Sequence, residues 1–245
     1  MNIIVCKNYD EMSLRSAELM ASVIKEKPAC VLGLATGSTP IGLYQNLIRM
    51  NKAGEISFKN VTTVNLDEYY PIAPTNDQSY RYFMNDQLFD HVDIDKSRTY
   101  VPSGNNNIEA EIALFNEKLY GDKQLDLQLL GIGVSGHIGF NEPGEHLVAG
   151  VHVEKLDEST IIANSRFFTS PEEVPTMSIT MGVGDIMKAR RTVLIATGKN
   201  KAPAMKSLLM NDEITTAVPA TVLKMHADAT IVIDQELANE IGYAY

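Results

Sequence analysis

The chain is 245 residues long, enough for one large domain or two small ones whose core needs no metal or disulfide. Apolar residues make up 44% and charged residues 21%, which excludes disordered, collagen-like and low-complexity proteins, and the apolar runs fall far short of the ~20 residues that cross a bilayer. The net charge of −10 disfavours nucleic acid or an anionic membrane as the main partner, because both are usually bound through excess lysine and arginine.

The cysteine content and the first residues of the chain indicate the cellular compartment in which the protein is expected. Cys6 and Cys30 are the only cysteines and have no Cys-x-x-Cys spacing, which is typical of a reducing environment. Residues 2–6 are apolar, but no basic region precedes them as it does in a signal peptide. Both observations predict a cytoplasmic protein.

Short β-branched runs alternate along the chain with longer amphipathic stretches. The runs predict strands at residues 3–6, 29–35, 61–66, 125–132, 191–196 and 229–233. The stretches between them predict helices at residues 9–27, 40–52, 79–91, 108–120, 183–189 and 199–211. Such alternation is typical of parallel strands joined by right-handed crossovers. We therefore predict one α/β domain over residues 1–245, with a doubly wound, mostly parallel sheet and helices on both faces.

The segment after the second predicted strand is rich in hydroxyl groups. Ligands of doubly wound sheets bind beyond the carboxyl ends of the strands, and here Thr36, Gly37, Ser38 and Thr39 lead into a helix. Pro40 suits the first helical turn, and Ser38 or Thr39 suits its cap. Free N–H groups and hydroxyls at a helix start can bind phosphate. An ordinary capped turn is an equally good interpretation of this segment alone.

A pair of carboxylates, Asp67 and Glu68, follows the third predicted strand. A partly desolvated carboxylate at a strand end can act as a general base. Taken alone, the pair is better explained as a solvated acidic turn.

The glycine-rich segment after the fourth predicted strand contains a histidine and a carboxylate, His137 and Glu142. Residues 131–136 match the Gly-x-Gly-x-x-Gly dinucleotide fingerprint, but glycine and proline downstream argue against the helix that it requires. Histidine can accept and donate a proton near neutral pH, and Glu142 could select its tautomer. One histidine and one glutamate are too few ligands for a metal, so no metal site is predicted.

Two cations complete the set of candidate residues. Arg166 offers bidentate geometry to a phosphate, and Lys201 offers a point charge. Separately, each is more simply a surface charge. Together with the hydroxyl-rich loop, the carboxylate and the histidine, they predict acid–base chemistry on a phosphorylated small molecule.

Four segments resemble the glucosamine-6-phosphate deaminase family. They are residues 34–40 (LATGSTP), 65–69 (NLDEY), 131–143 (GIGVSGHIGFNEP) and 164–168 (NSRFF). The resemblance runs almost end to end and is closest to the short bacterial members. It implies a Rossmann-like fold and conversion of D-glucosamine 6-phosphate and water to D-fructose 6-phosphate and ammonia, without cofactor or metal.

By matched position, the resemblance assigns roles to the candidate residues. The catalytic group is Asp67, Ser135, His137 and Glu142. His137 would open the sugar ring, oriented by Glu142, and Asp67 would move the C2 proton to C1. Thr36 to Thr39, Arg166 and Lys201 would bind the phosphate.

Position 135 departs from the family, because many members have Asp or Asn where this chain has Ser135. Serine offers only a neutral hydrogen bond to the histidine. This leaves galactosamine 6-phosphate, with tagatose 6-phosphate as product, open as an alternative substrate. The related 6-phosphogluconolactonases and a non-catalytic sugar-phosphate sensor are two further alternatives.

The residues that follow the histidine motif bear on regulation. Activated members have serine and basic residues there, and this chain has Glu145, His146, His152 and Glu154. Carboxylates repel a phosphate, so no activation by N-acetylglucosamine 6-phosphate is expected. The family includes monomers and hexamers, so a homo-oligomer remains open.

Overall fold

The computed structural model describes residues 1–120, 124–165, 168, 170 and 173–245. The strands of this part are β1 Asn2–Cys6, β2 Val31–Leu34, β3 Thr62–Asn65, β4 Asp67–Tyr70, β5 Thr99–Tyr100, β6 Leu127–Leu130, β7 His152–Lys155, β8 Met177–Thr180, β9 Thr192–Ala196 and β10 Ala229–Asp234. Its α-helices are α1 Tyr9–Glu26, α2 Ile41–Lys52, α3 Tyr80–Gln87, α4 Ile108–Tyr120, α5 Glu158–Ser165, α6 Val183–Met187, α7 Ala202–Leu209 and α8 Gln235–Ile241.

The main sheet has seven strands in the order β1-β10-β9-β6-β2-β3-β5, and all neighbouring pairs are parallel. From β2 the chain builds outward through β3 to β5, then returns to β6 and builds toward the other edge. The direction of winding therefore reverses between β2 and β6, where doubly wound sheets bind their ligands. All the predicted strands belong to this sheet, so the predicted fold class is confirmed.

Each segment predicted to be helical contains an observed helix, which is shorter than the prediction in several cases. The prediction for 79–91 covers α3 and a 3₁₀ turn at Phe89–His91, and that for 199–211 covers a 3₁₀ turn at Lys199–Lys201 and α7. Helix α1 could be predicted from its apolar periodicity because its apolar face is buried. Asn8 caps this helix by accepting the Glu11 N–H. No helix in the described part of the chain is long and apolar enough to span a membrane.

A second, three-stranded sheet of order β4-β8-β7 is antiparallel and was not predicted. Asp67 and Glu68 were expected in a solvated turn, but Asp67–Tyr70 is strand β4, separated from β3 by Leu66 alone. Strand β7 reads His-Val-Glu-Lys, without the apolar alternation that marks a strand. Pairing with β8 from distant residues stabilises both strands, so their sequences carried little local signal. Helices α5 and α8 were also missed.

Candidate functional site

A pocket lies at the carboxyl ends of β2 and β6, and its volume is about 870 Å³ when the open mouth is included. It is the place where the winding of the main sheet reverses. The predicted residues that line it are Thr36, Gly37, Ser38, Thr39, Asp67, His137 and Lys201. The structure therefore brings together residues from four separate segments. Arg166 lies outside the described residues.

The hydroxyl-rich loop forms one wall of the pocket. Gly37 has φ = +96°, a conformation that side chains strongly disfavour, and Tyr44 Oη donates a 2.5 Å hydrogen bond to the Ala35 carbonyl. Helix α2 is capped by Pro40 without a side-chain hydrogen bond. The prediction that Ser38 or Thr39 caps this helix is therefore wrong, and both residues line the pocket instead.

His137 and Glu142 form a hydrogen-bonded pair in the segment after β6. Glu142 Oε2 lies 2.9 Å from His137 Nδ1, and 16% of the histidine side chain and 5% of the glutamate side chain are exposed. The ring packs over Gly133, where a Cβ would lie 2.3 Å from Nε2, so only glycine leaves room for it. The pairing at Nδ1 makes Nε2 the nitrogen that remains to exchange protons.

Two hydroxyl groups also contact this pair. Ser135 Oγ donates to Glu142 Oε2 at 3.1 Å and lies 3.1 Å from His137 Nδ1. Thr160 Oγ1 in α5 donates to Glu142 Oε1 at 2.6 Å. Burial raises the pKa of the Glu142 carboxyl, but the hydrogen bond and charge of His137, with those two hydroxyls, lower that pKa below its usual value.

Asp67 is the first residue of β4 and is 7% exposed. Burial, and secondarily the charge of Glu68, raises its pKa well above the usual value for aspartate. Gly139 packs over its carboxylate: at φ = +57°, a Cβ there would lie 3.5 Å from Asp67 Oδ2 and 3.0 Å from Thr180 Oγ1. The interpretation of residues 67 and 68 as a solvated acidic turn is therefore wrong.

Glu68 occupies the other side of the strand and binds the first turn of helix α3, whose N-cap is Ser79. Its two carboxylate oxygens accept the backbone N–H groups of Tyr69 and Tyr80, each at 2.9 Å, and of Arg81 at 3.1 Å. Burial raises its pKa to about 7 although these hydrogen bonds lower it. A buried carboxylate thus stands beside Asp67 and positions the start of the helix that carries Tyr80 into the pocket.

Sequence reasoning missed several residues that build the site. Tyr80, Phe140, Thr160 and Asn164 all line the pocket. Tyr80 stacks on Phe140 with ring centroids 6.0 Å apart. A threonine inside a helix has no local feature that marks it as a partner of a buried glutamate. The match of residues 131–136 to the dinucleotide fingerprint was correctly rejected, because no helix begins directly after these residues.

The chain matches the family model described as glucosamine-6-phosphate isomerases/6-phosphogluconolactonase over residues 8–232. It is 52% identical over 239 residues to the glucosamine-6-phosphate deaminase of Clostridium perfringens, covering 97% of this chain and 98% of that one. It is also 52% identical over 242 residues to the deaminase of Thermoanaerobacter pseudethanolicus, covering 98% and 95% of the two chains.

Solved structures agree with these sequence matches. A monomeric glucosamine-6-phosphate deaminase superposes with a TM-score of 0.95 at 44% identity, covering 98% of this chain and all of that one. A 6-phosphogluconolactonase from Thermotoga maritima gives a TM-score of 0.74 at 19% identity, over 95% and 98% of the chains. At that identity, the lactonase shares the fold and supports no statement about activity.

Proposed function

Because the chain belongs to the family of glucosamine-6-phosphate isomerases and 6-phosphogluconolactonases, we propose that residues 1–245 form one enzyme domain that converts D-glucosamine 6-phosphate and water to D-fructose 6-phosphate and ammonia, in amino-sugar catabolism. The observation that carries the proposal is that the loop Thr36 to Thr39 (the phosphate loop), Asp67 and His137 line one pocket. The identity of 52% to a named deaminase supports the same activity.

The phosphate group of the substrate binds at the loop Thr36 to Thr39. Its hydroxyl and backbone N–H groups supply neutral donors, and Lys201, at the same pocket, supplies positive charge. Arg166 is proposed as a second cation on the resemblance alone. Fixing the phosphate at this end aligns the sugar with Asp67 and His137, which is the positioning that speeds a proton transfer.

His137 opens the sugar ring. Ring opening removes a proton from the anomeric hydroxyl and delivers one to the ring oxygen, and Nε2 can perform both transfers because Nδ1 is paired with Glu142. Ser135 and Thr160 hold the carboxylate of Glu142, which keeps the imidazole in one orientation.

Asp67 moves a proton between neighbouring carbons of the open sugar. It removes the C2 proton while the C1 carbonyl oxygen takes up a proton, which gives an enolamine, and it returns the C2 proton to C1, which leaves a protonated imine at C2. Water then adds at C2, and ammonia leaves to give the ketose. A raised pKa suits this role, because a stronger base removes a carbon-bound proton more readily.

The proposed partner is a small hexosamine phosphate, with neither nucleic acid nor a membrane involved. We place the reaction in the cytoplasm because Cys6 and Cys30 are buried free thiols, as is usual in a reducing compartment. The epimer galactosamine 6-phosphate and a sugar-acid lactone are the competing substrates, and no contact among the described residues of the site favours either of them.

Ammonia release, coupled to a second enzyme that consumes it, tests the proposal with glucosamine 6-phosphate and galactosamine 6-phosphate side by side. We expect turnover of the glucosamine epimer at a kcat/KM at least tenfold higher. Faster turnover of the galactosamine epimer would reverse the substrate assignment. Hydrolysis of 6-phosphogluconolactone with no ammonia from either amino sugar would overturn the deaminase altogether.

A further inference from the structure

The phosphate loop is held from behind by Tyr9, the first residue of α1. The Tyr9 hydroxyl lies 3.1 Å from the Thr39 carbonyl oxygen and 3.3 Å from that of Ser38, to which it can donate. It also accepts the Gly42 N–H at 2.9 Å. One phenol oxygen thus bonds to both the loop and the first turn of α2, although it comes from a helix about thirty residues earlier.

The contact between α1 and α2 fixes where this hydroxyl lies. A Cβ on Gly42 would come within 2.4 Å of Ser13 Oγ and 3.0 Å of Tyr9 Cε1, so the two helices approach each other at a residue without a side chain. The first turn of α1 is itself capped by Asn8. Tyr9 is therefore a fixed support on the side of the loop away from the pocket, which it does not line.

The orientation of one carbonyl determines that of the next N–H. In a planar trans peptide the two groups point in opposite directions. A Ser38 carbonyl that points toward Tyr9 makes the Thr39 N–H point away from α1, and Ser38 and Thr39 line the pocket. The Thr39 carbonyl, which is the nearer acceptor, is followed by Pro40, which has no N–H. The Ser38 carbonyl is therefore the one through which Tyr9 can orient a backbone donor toward the side where the phosphate is proposed to bind.

We propose that Tyr9 is a positioning residue for phosphate binding, whose hydroxyl holds the Ser38–Thr39 peptide in its binding orientation before the ligand arrives. The inference rests on the proposed function for the identity of the anion. Without the hydroxyl, the loop would have to become ordered when the phosphate binds, and the free energy of that ordering would lower the affinity. Asp67 and His137 do not contact Tyr9, so the chemical step should change little.

Tyr9→Phe removes the hydroxyl and keeps the ring, and it is compared with wild type at a temperature where both are fully folded. We expect about a threefold to tenfold rise in KM for glucosamine 6-phosphate and in the Kd of inorganic phosphate measured by calorimetry, with kcat within about twofold. Tyr245→Phe is the matched control, because it removes an exposed hydroxyl that lies 3.4 Å from Asn239. This control should change neither constant.

Unchanged phosphate affinity in Tyr9→Phe would overturn the proposal, and so would a lower Tm with unchanged affinity, which is the signature of a purely structural contact. An equal loss of affinity for unphosphorylated glucosamine would overturn it as well, because the effect would not be specific to phosphate. A wild-type protein that releases no ammonia would refute the proposed function alone, since the titration with inorganic phosphate requires no turnover.

Discussion

Thr160 offers a sharp test of how the histidine is oriented, because one hydroxyl connects α5 to the His137–Glu142 pair. Thr160→Val replaces that hydroxyl with a methyl group of similar size and leaves Glu142 Oε1 without its 2.6 Å donor. Thr160 is buried, so water cannot easily supply the missing hydrogen bond. The pKa of the Glu142 carboxyl should rise toward its usual value, since this hydroxyl is one of the groups that lower it.

The magnitude follows from the charge and the burial of the acceptor. A hydrogen bond to a charged group contributes about 1.5–3 kcal/mol, and each 1.4 kcal/mol corresponds to about a factor of ten in rate. Losing the bond entirely from the transition state would lower kcat/KM by about tenfold to 150-fold. Part of the loss will appear in the free energy of unfolding, because the bond also exists in the free protein. We therefore expect a decrease of about tenfold.

The assay is steady-state ammonia release from glucosamine 6-phosphate, with urea denaturation of the same samples. Thr160→Ser is the matched control, since it keeps the hydroxyl and removes only the methyl group, and its kcat/KM should stay within about threefold of wild type. If Thr160→Val also stays within twofold, the hydroxyl does not orient Glu142, and the assignment of Thr160 to the catalytic pair is wrong.

Four further predictions concern the neighbouring groups. Asp67→Asn should lower kcat by at least about 10²-fold with inorganic phosphate affinity within twofold, and near-normal turnover would remove Asp67 as the base. Glu68, with a folded-state pKa of about 7 against a usual 4.5, binds more protons folded than unfolded between those values. Through Glu68 the free energy of unfolding should therefore fall by about 3 kcal/mol as pH rises through that range. Glu68→Gln should reduce the pH dependence measured in urea, and Asp67, whose pKa is also raised, should contribute the remainder. Ser135→Asp replaces the neutral hydroxyl beside His137 and Glu142 with a carboxylate and should change kcat/KM for ammonia release more than Ser135→Asn, which adds no charge. N-acetylglucosamine 6-phosphate should leave the half-saturating substrate concentration unchanged, and a marked fall would refute the absence of activation.

The central sheet and the position of its ligand site could be predicted from the sequence. Strands that are covered on both faces are mostly apolar along their length, so β2 and β9 stood out as short, nearly continuous apolar runs. Because parallel strands align their carboxyl ends, Thr36 to Thr39 and His137 could be placed at one edge of the sheet before any contact was known. Each of these signals lies within a short stretch of neighbouring residues, so it can be recognised in the sequence without knowledge of tertiary contacts.

The second sheet and the burial of its carboxylates were decided by tertiary structure. Asp67 and Glu68 look like an exposed turn because charged residues are rarely buried without partners. Two of the three backbone partners of Glu68 lie twelve and thirteen residues away, and β4 is held in a sheet by pairing with β8.

The same holds for the two hydroxyl groups that support the site. Thr160 reaches Glu142 across eighteen residues, and Tyr9 reaches Thr39 across thirty. No pattern of composition or periodicity encodes a hydrogen bond between such distant positions. The sequence by itself therefore determined which chemistry the pocket contains, and only the packing of α1 and α5 against its loops decided how those groups are held in place.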